Sequence, residues 1–143
     1  KAKKYLVPLS DNAIQTWATG LMSGQFNEES FDQYLKDSAK SLFPQLAAAI
    51  DSGISVSDYV DPYRQIAAQT LELNPDAIDF TDPKWRTAFD TKDDKGNRTI
   101  MTLSEWQSKI RTDKTYGYDK TQRGVQEASQ FATGLLQTFG AIA

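Results

Sequence analysis

The stretch "DPYRQIAAQTLELNPDAIDFTDPKW", residues 61–85, contains three proline steps, and each proline follows an Asp or an Asn: Asp61-Pro62, Asn74-Pro75 and Asp82-Pro83. Asp and Asn side chains accept hydrogen bonds from the free N–H groups of a first helical turn, and proline is best tolerated at the start of that turn. The spacing therefore predicts short helices that restart at corners. Asp82-Pro83 has Thr81 as a rival cap, in which case Phe80 and Trp85 form a hydrophobic staple. "LNPDAIDF" is too short for more than a single turn. Tyr59, Tyr63, Ile66, Ala67, Thr70 and Leu71 line one face through Pro62, so a longer helix from Ser55, bent at Pro62, is equally open.

The same reading extends to the rest of the chain. "SDNAIQTWATGLMSG" predicts a helix with Ser10 or Asp11 as cap, an apolar face of Ile14, Trp17, Ala18, Leu21 and Met22, and a stop at Gly20 or Gly24. A second helix opens at Asn27, with Glu28 and Glu29 at the positive end of its dipole. It buries Phe31, Tyr34, Leu35, Ala39 and Leu42, and it kinks or restarts at Pro44 before stopping at Gly53. Residues 90–101 predict a small β-hairpin around Gly96. "TLSE" is a capping box, Thr102 with Glu105, opening a helix to about Arg111. After a loop around Gly117, Asp119 is the expected cap of a last helix that Gly140 closes. Its stripe is Val125, Ala128, Phe131, Ala132, Leu135, Leu136 and Phe139. The fold class is thus mainly α, a compact bundle of five to seven short helices with one small hairpin near 90–101. Residues 1–9 are expected as an N-terminal arm and 10–143 as a single helical domain.

Composition narrows the chemistry. The 143 residues contain no cysteine and no histidine, which removes disulfides, thiolate metal sites and every Ser-His or Cys-His pair. The net charge of −3 disfavours a dedicated nucleic-acid binder, and Lys1, Lys3 and Lys4 form a basic cluster that reads as a solvated tail. No apolar run reaches the roughly 18–20 residues of a membrane span. The acidic residues Asp90, Asp93, Asp94 and Glu105 suggest calcium, but with Gly96 as the sixth loop residue the ligand positions fall on Thr91, Lys95 and Thr102, and the register fails. Glu105, beside Trp106, is the candidate acid for a cell-wall-degrading enzyme, but its place in a capping box accounts for it fully; Glu72, at a helix end, is weaker still. Trp17, Trp85 and Trp106 fall at core or staple positions. No catalytic residue, cofactor or metal is assigned.

A partner interface has more to work with. Tyr116 and Tyr118 flank Gly117 in a loop, where their rings either close over the core or face a partner. Gly124, Ala128 and Ala132 lie four apart on the last helix, where small side chains allow close approach of a neighbouring helix. Because the large residues share nearly the same face, packing within the chain is the expectation there, with an oligomer seam as the alternative.

The segments "SFDQYLKDSAKSLFPQLAAAIDSGISVSDYVDPYRQIAAQTLELNP", "IDFTDPKW", "MTLSEWQSKIRTDKTYGYDKTQ" and "ASQFATGLLQTFG" span most of the chain, from about Phe31 to Gly140. Together they resemble the C-terminal region of long structural proteins of tailed bacteriophages, particularly of Gram-positive hosts, of the tail tape-measure and internal, ejected virion types. The resemblance implies a non-enzymatic anchor domain made in the bacterial cytoplasm and carried in the tail or head interior. Its partners would be other virion proteins or further copies of itself. A start at Lys1 fits a fragment of a longer chain. The sequence shows no extended heptad pattern of the kind that specifies a coiled-coil trimer. The alternatives are the cell-wall-degrading enzyme, or its binding domain, and a secreted adaptor or effector domain.

Overall fold

The three Asx-Pro steps resolve in two ways. In this computed structural model, which describes residues 2–142 and the side chains of residues 2–140, Asn74 and Asp82 act as caps. The Asn74 carboxamide accepts the Asp76 N–H at 2.9 Å and opens a 3₁₀ turn over Pro75–Ala77. The Asp82 carboxylate accepts the Lys84 N–H at 2.9 Å and opens α6, Pro83–Arg86. Thr81 donates its own N–H and hydroxyl to Asp79 instead of capping. At Pro62 the longer alternative holds: α5 runs unbroken over Val56–Leu71 with Pro62 inside it. Ser55 caps that helix, its hydroxyl oxygen accepting the Asp58 N–H. Proline frees the carbonyl four residues back, and here Asp58 and Pro62 are both exposed, so water can take the lost donor's place.

Among the described residues the chain is mainly helical, 73%, with eight α-helices, five 3₁₀ turns and one hairpin. The chain divides into two compact units, Lys1–Tyr63 with Asp79–Met101, and Arg64–Ile78 with Thr102–Ala143.

In the first unit, α1 spans Ala2–Tyr5 within the segment expected as an arm. Tyr5 is buried, its hydroxyl reaches the Asp32 carboxylate at 3.5 Å, and the Ser55 hydroxyl donates to the Lys4 carbonyl. Lys3 and Lys4 therefore belong to a helical turn, and Lys1 lies outside the described residues. Helix α2, Asp11–Ser23, starts on Ser10 and ends on left-handed Gly24. Its predicted apolar face is not core: Ile14, Leu21 and Met22 are exposed, Met22 at 90%. Only Trp17 is half-buried, because its indole meets Phe26, Phe31 and Tyr34 at 4.5–5.2 Å. Helix α3, Glu28–Leu42, is capped by Asn27 and buries Leu35 and Ala39. Phe43 ends it, a 3₁₀ turn begins at Pro44, and α4 follows over Ala47–Asp51, tied back to α3 by Lys40–Asp51 at 2.8 Å. The centre of this unit is Phe89, which the sequence reading passed over. Phe43, Tyr59, Tyr63 and Phe80 surround its ring at centroid distances of 4.7–6.1 Å. Strands β1, Thr91–Lys92, and β2, Arg98–Thr99, pair antiparallel with Thr91 opposite Thr99.

In the second unit, α7 spans Leu103–Thr112 and carries the buried Trp106 and Ile110. Two 3₁₀ turns, Lys114–Tyr116 and Tyr118–Lys120, flank left-handed Gly117. Helix α8 follows over Gln122–Ile142. Its cap is Thr121 rather than Asp119: the Thr121 hydroxyl accepts the Gly124 N–H at 3.0 Å. Nor does Gly140 close it, since the helix runs on through that residue.

Candidate interaction surface

The five residues proposed for an interface have three different fates. Tyr116 is buried, its ring edge-on to Trp106 at 5.6 Å, so it is core. Tyr118 is half-buried, with the Arg111 guanidinium 5.2 Å from its ring. Its hydroxyl is buried without a hydrogen-bond partner among the described residues. Gly124 is buried against backbone: a Cβ there would stand 2.2 Å from the Tyr118 carbonyl oxygen. Ala128 and Ala132 are exposed on α8. The row of small residues thus divides, its first member packing within the unit and the other two facing solvent.

The large residues of the same stripe also differ from expectation. Val125, Phe131, Leu135, Leu136 and Phe139 are exposed, with Phe131 at 70%, Leu136 at 73% and Phe139 at 63%. The physical reason is the length of α8. Its first turn packs on the 3₁₀ turn Tyr118–Lys120, and the helix then continues well past that support to Ile142. No charged residue follows Glu127, so this extension presents only apolar, hydroxyl and carboxamide side chains.

The start of α8 is held by an acidic residue set aside as a catalytic candidate. Glu72 has φ +57, in the left-handed region that non-glycine residues rarely occupy. Its carboxylate accepts the N–H groups of Gln122 and Arg123, both at 3.1 Å. Two orphan donors at the positive end of the helix are thereby satisfied by a negative group. Elsewhere in this unit, Arg111, Glu127, Tyr118, Ser104, Gln107 and Ser108 line an open groove of about 490 Å³. Glu127 meets Arg111 at 3.4 Å and Arg123 at 3.5 Å. At the end of α7, Asp113 accepts the Thr115 N–H at 2.9 Å and faces Lys109 at 3.4 Å. Those contacts, the Thr115 backbone bond first, hold its carboxyl below the usual 3.8.

The other acidic candidates serve local structure. Glu105 completes the capping box, accepting the Thr102 N–H and donating its own N–H to the Thr102 hydroxyl, both at 3.1 Å. Asp93 accepts the N–H groups of Lys95 and Asn97 at 2.9 Å and so builds the hairpin turn. Among the described residues, no cluster of three acidic side chains has the geometry to hold a metal ion. No described helix is long and apolar enough to cross a membrane. Comparison with models of protein families, with curated proteins and with solved structures found no match.

Proposed function

We propose that this chain is a structural, protein-interacting domain of a tailed-phage virion, of the tape-measure or internal ejected type, and that it acts by docking. The observation that carries the docking half of this reading is the open apolar stripe of α8. Exposed apolar patches of more than a few hundred Å² on a folded protein mark sites that another surface covers. The stripe sits on a regular helix, so it offers a rigid, pre-formed face and little ordering entropy is lost on binding. The phage half rests on the resemblance of residues 31–140 to tail and internal virion proteins. In this reading the domain holds its place in the particle until infection and is then released or ejected with the DNA.

The test is protein mass spectrometry on purified, salt-washed and nuclease-treated phage particles from the source. Peptides of this chain present in amounts comparable with other particle proteins are the expected result. Their absence from particles, with the same peptides recovered free from the lysate or the medium, would overturn the assignment.

A further inference from the structure

We propose that α8 pairs antiparallel with α8 of a second copy of this chain, about a two-fold axis that crosses the helix between Thr133 and Gly134. The proposal rests on reading the stripe as an interface, and it stands independently of the virion assignment.

Position along the helix makes the argument. Val125, Ala128, Ala132, Leu135 and Phe139 follow one another at spacings of three and four, the pattern of a helix-pairing seam. Phe131 and Leu136 flank that seam on either side. The run is only about two heptads long, which is why it does not stand out as a heptad sequence. Its order is small, small, large, large: Ala128, Ala132, Leu135, Phe139. An antiparallel partner reverses that order. Ala128 then faces the partner's Phe139 and Ala132 faces the partner's Leu135, while Phe131 and Leu136 cover the two flanks of the seam. Every central layer pairs a small side chain with a large one, which is how facing helices fill the space between them at uniform separation. Parallel pairing would set alanine on alanine at one end and phenylalanine on phenylalanine at the other, so the helices would be too far apart where the side chains are small. The match is of the stripe with itself, as an isologous two-fold interface requires.

Charge and area agree. With no charged side chain beyond Glu127, a second copy meets no like-charge repulsion between side chains along the seam, and no oppositely charged partner is called for. At about 150–250 Å² for a buried aromatic side chain and somewhat less for Leu and Val, the exposed parts of Val125, Phe131, Leu135, Leu136 and Phe139 come to roughly 600 Å² per copy. A pair would cover about 1,200 Å², the size at which specific interfaces begin.

The chain contains no cysteine, so single cysteines report the register without background. Ala128→Cys and Phe139→Cys are prepared separately in the full chain, mixed, and oxidised. A cross-link that forms in the mixture, and in neither protein alone, is the expected result. Cross-links within each separate protein would overturn the antiparallel register. Light scattering on the unmodified chain at micromolar concentration is expected to show twice 16.0 kDa, and Leu135→Glu is expected to return it to the single mass with its circular dichroism unchanged. The exchange Ala132→Leu with Leu135→Ala keeps every small-to-large layer and is expected to restore the pair that Leu135→Ala alone weakens. A chain that is monomeric by scattering overturns the proposal; exchange protection of 125–139 in that monomer would assign the stripe to another part of the same chain, and binding to lipid vesicles would assign it to a membrane surface.

Discussion

Gly124 shows how much one missing methyl group decides. A Cβ at this position would lie 2.2 Å from the Tyr118 carbonyl oxygen and 3.0 Å from its carbon, and backbone cannot move aside as the end of a side chain can. Gly124→Ala is expected to cost about 1–3 kcal/mol, the usual range for overpacking a tight contact, as read from urea or thermal unfolding. Gly134 is the internal control. It lies in the same helix with open space around it, so Gly134→Ala is expected to be neutral or to stabilise by up to about 1 kcal/mol through helix propensity. Equal stability of Gly124→Ala and the unchanged chain would sink the close-approach account. The sequence marked Gly124 as a small residue on a line with Ala128 and Ala132, but not that the line ends there. The signal that separates them is the Tyr118–Lys120 turn beneath Gly124, and a turn of that kind is invisible to helical periodicity.

Local hydrogen bonding made the starts of elements legible. The Asn74 and Asp82 caps, the Thr102–Glu105 box and the Asp93 turn each close within four residues, so their chemistry is written in adjacent letters. Periodicity located the helices but could not say what covers a face. The apolar sides of α2 and α8 were both expected to pack inward, and apart from the half-buried Trp17 their large residues are exposed. Phe89 was missed for the converse reason: it sits in a 3₁₀ turn, Thr87–Phe89, where no helical or alternating period marks an inward residue. Asp113 belongs at this scale because it joins the end of α7 to the turn after it. Its carboxyl is held below the usual 3.8, so its contribution to stability is complete above that value and disappears as pH falls through the lower value of the folded protein. Asn at this position still caps but has no charge to lose. The difference in melting temperature between the unchanged chain and Asp113→Asn is therefore expected to hold steady from neutral pH to about pH 5 and to shrink away as the pH falls below the ordinary carboxylate range. A difference that persists unaltered into strong acid would show that the charge is not what stabilises the turn.

At the scale of the whole molecule, the order of segments matters more than any one contact. The first unit takes its residues from Lys1–Tyr63 and again from Asp79–Met101; the second takes Arg64–Ile78 and then Thr102–Ala143. A fragment ending at Met101 therefore keeps all of the first unit's segments but strands Arg64–Ile78, whose Ala67, Ala68, Leu71 and Ile78 are buried in the full chain. That fragment is expected to show cooperative unfolding of the first unit, with rapid hydrogen exchange over 66–78 in place of protection. A fragment from Thr102 onward lacks the Glu72 carboxylate at the start of α8 and is expected to lose helicity there by circular dichroism. Protection of 66–78 in the first fragment equal to that in the full chain would contradict the division.

The interlaced order of the two units also bears on how such a chain is inherited. A gene segment exchanged by recombination travels well when a single break-point on each side releases a complete folding unit. Here any break between 64 and 101 divides at least one unit between the two products. Neither unit can be passed on as a cassette by one crossover, so selection would favour keeping the pair together, and variation would reach it one substitution at a time.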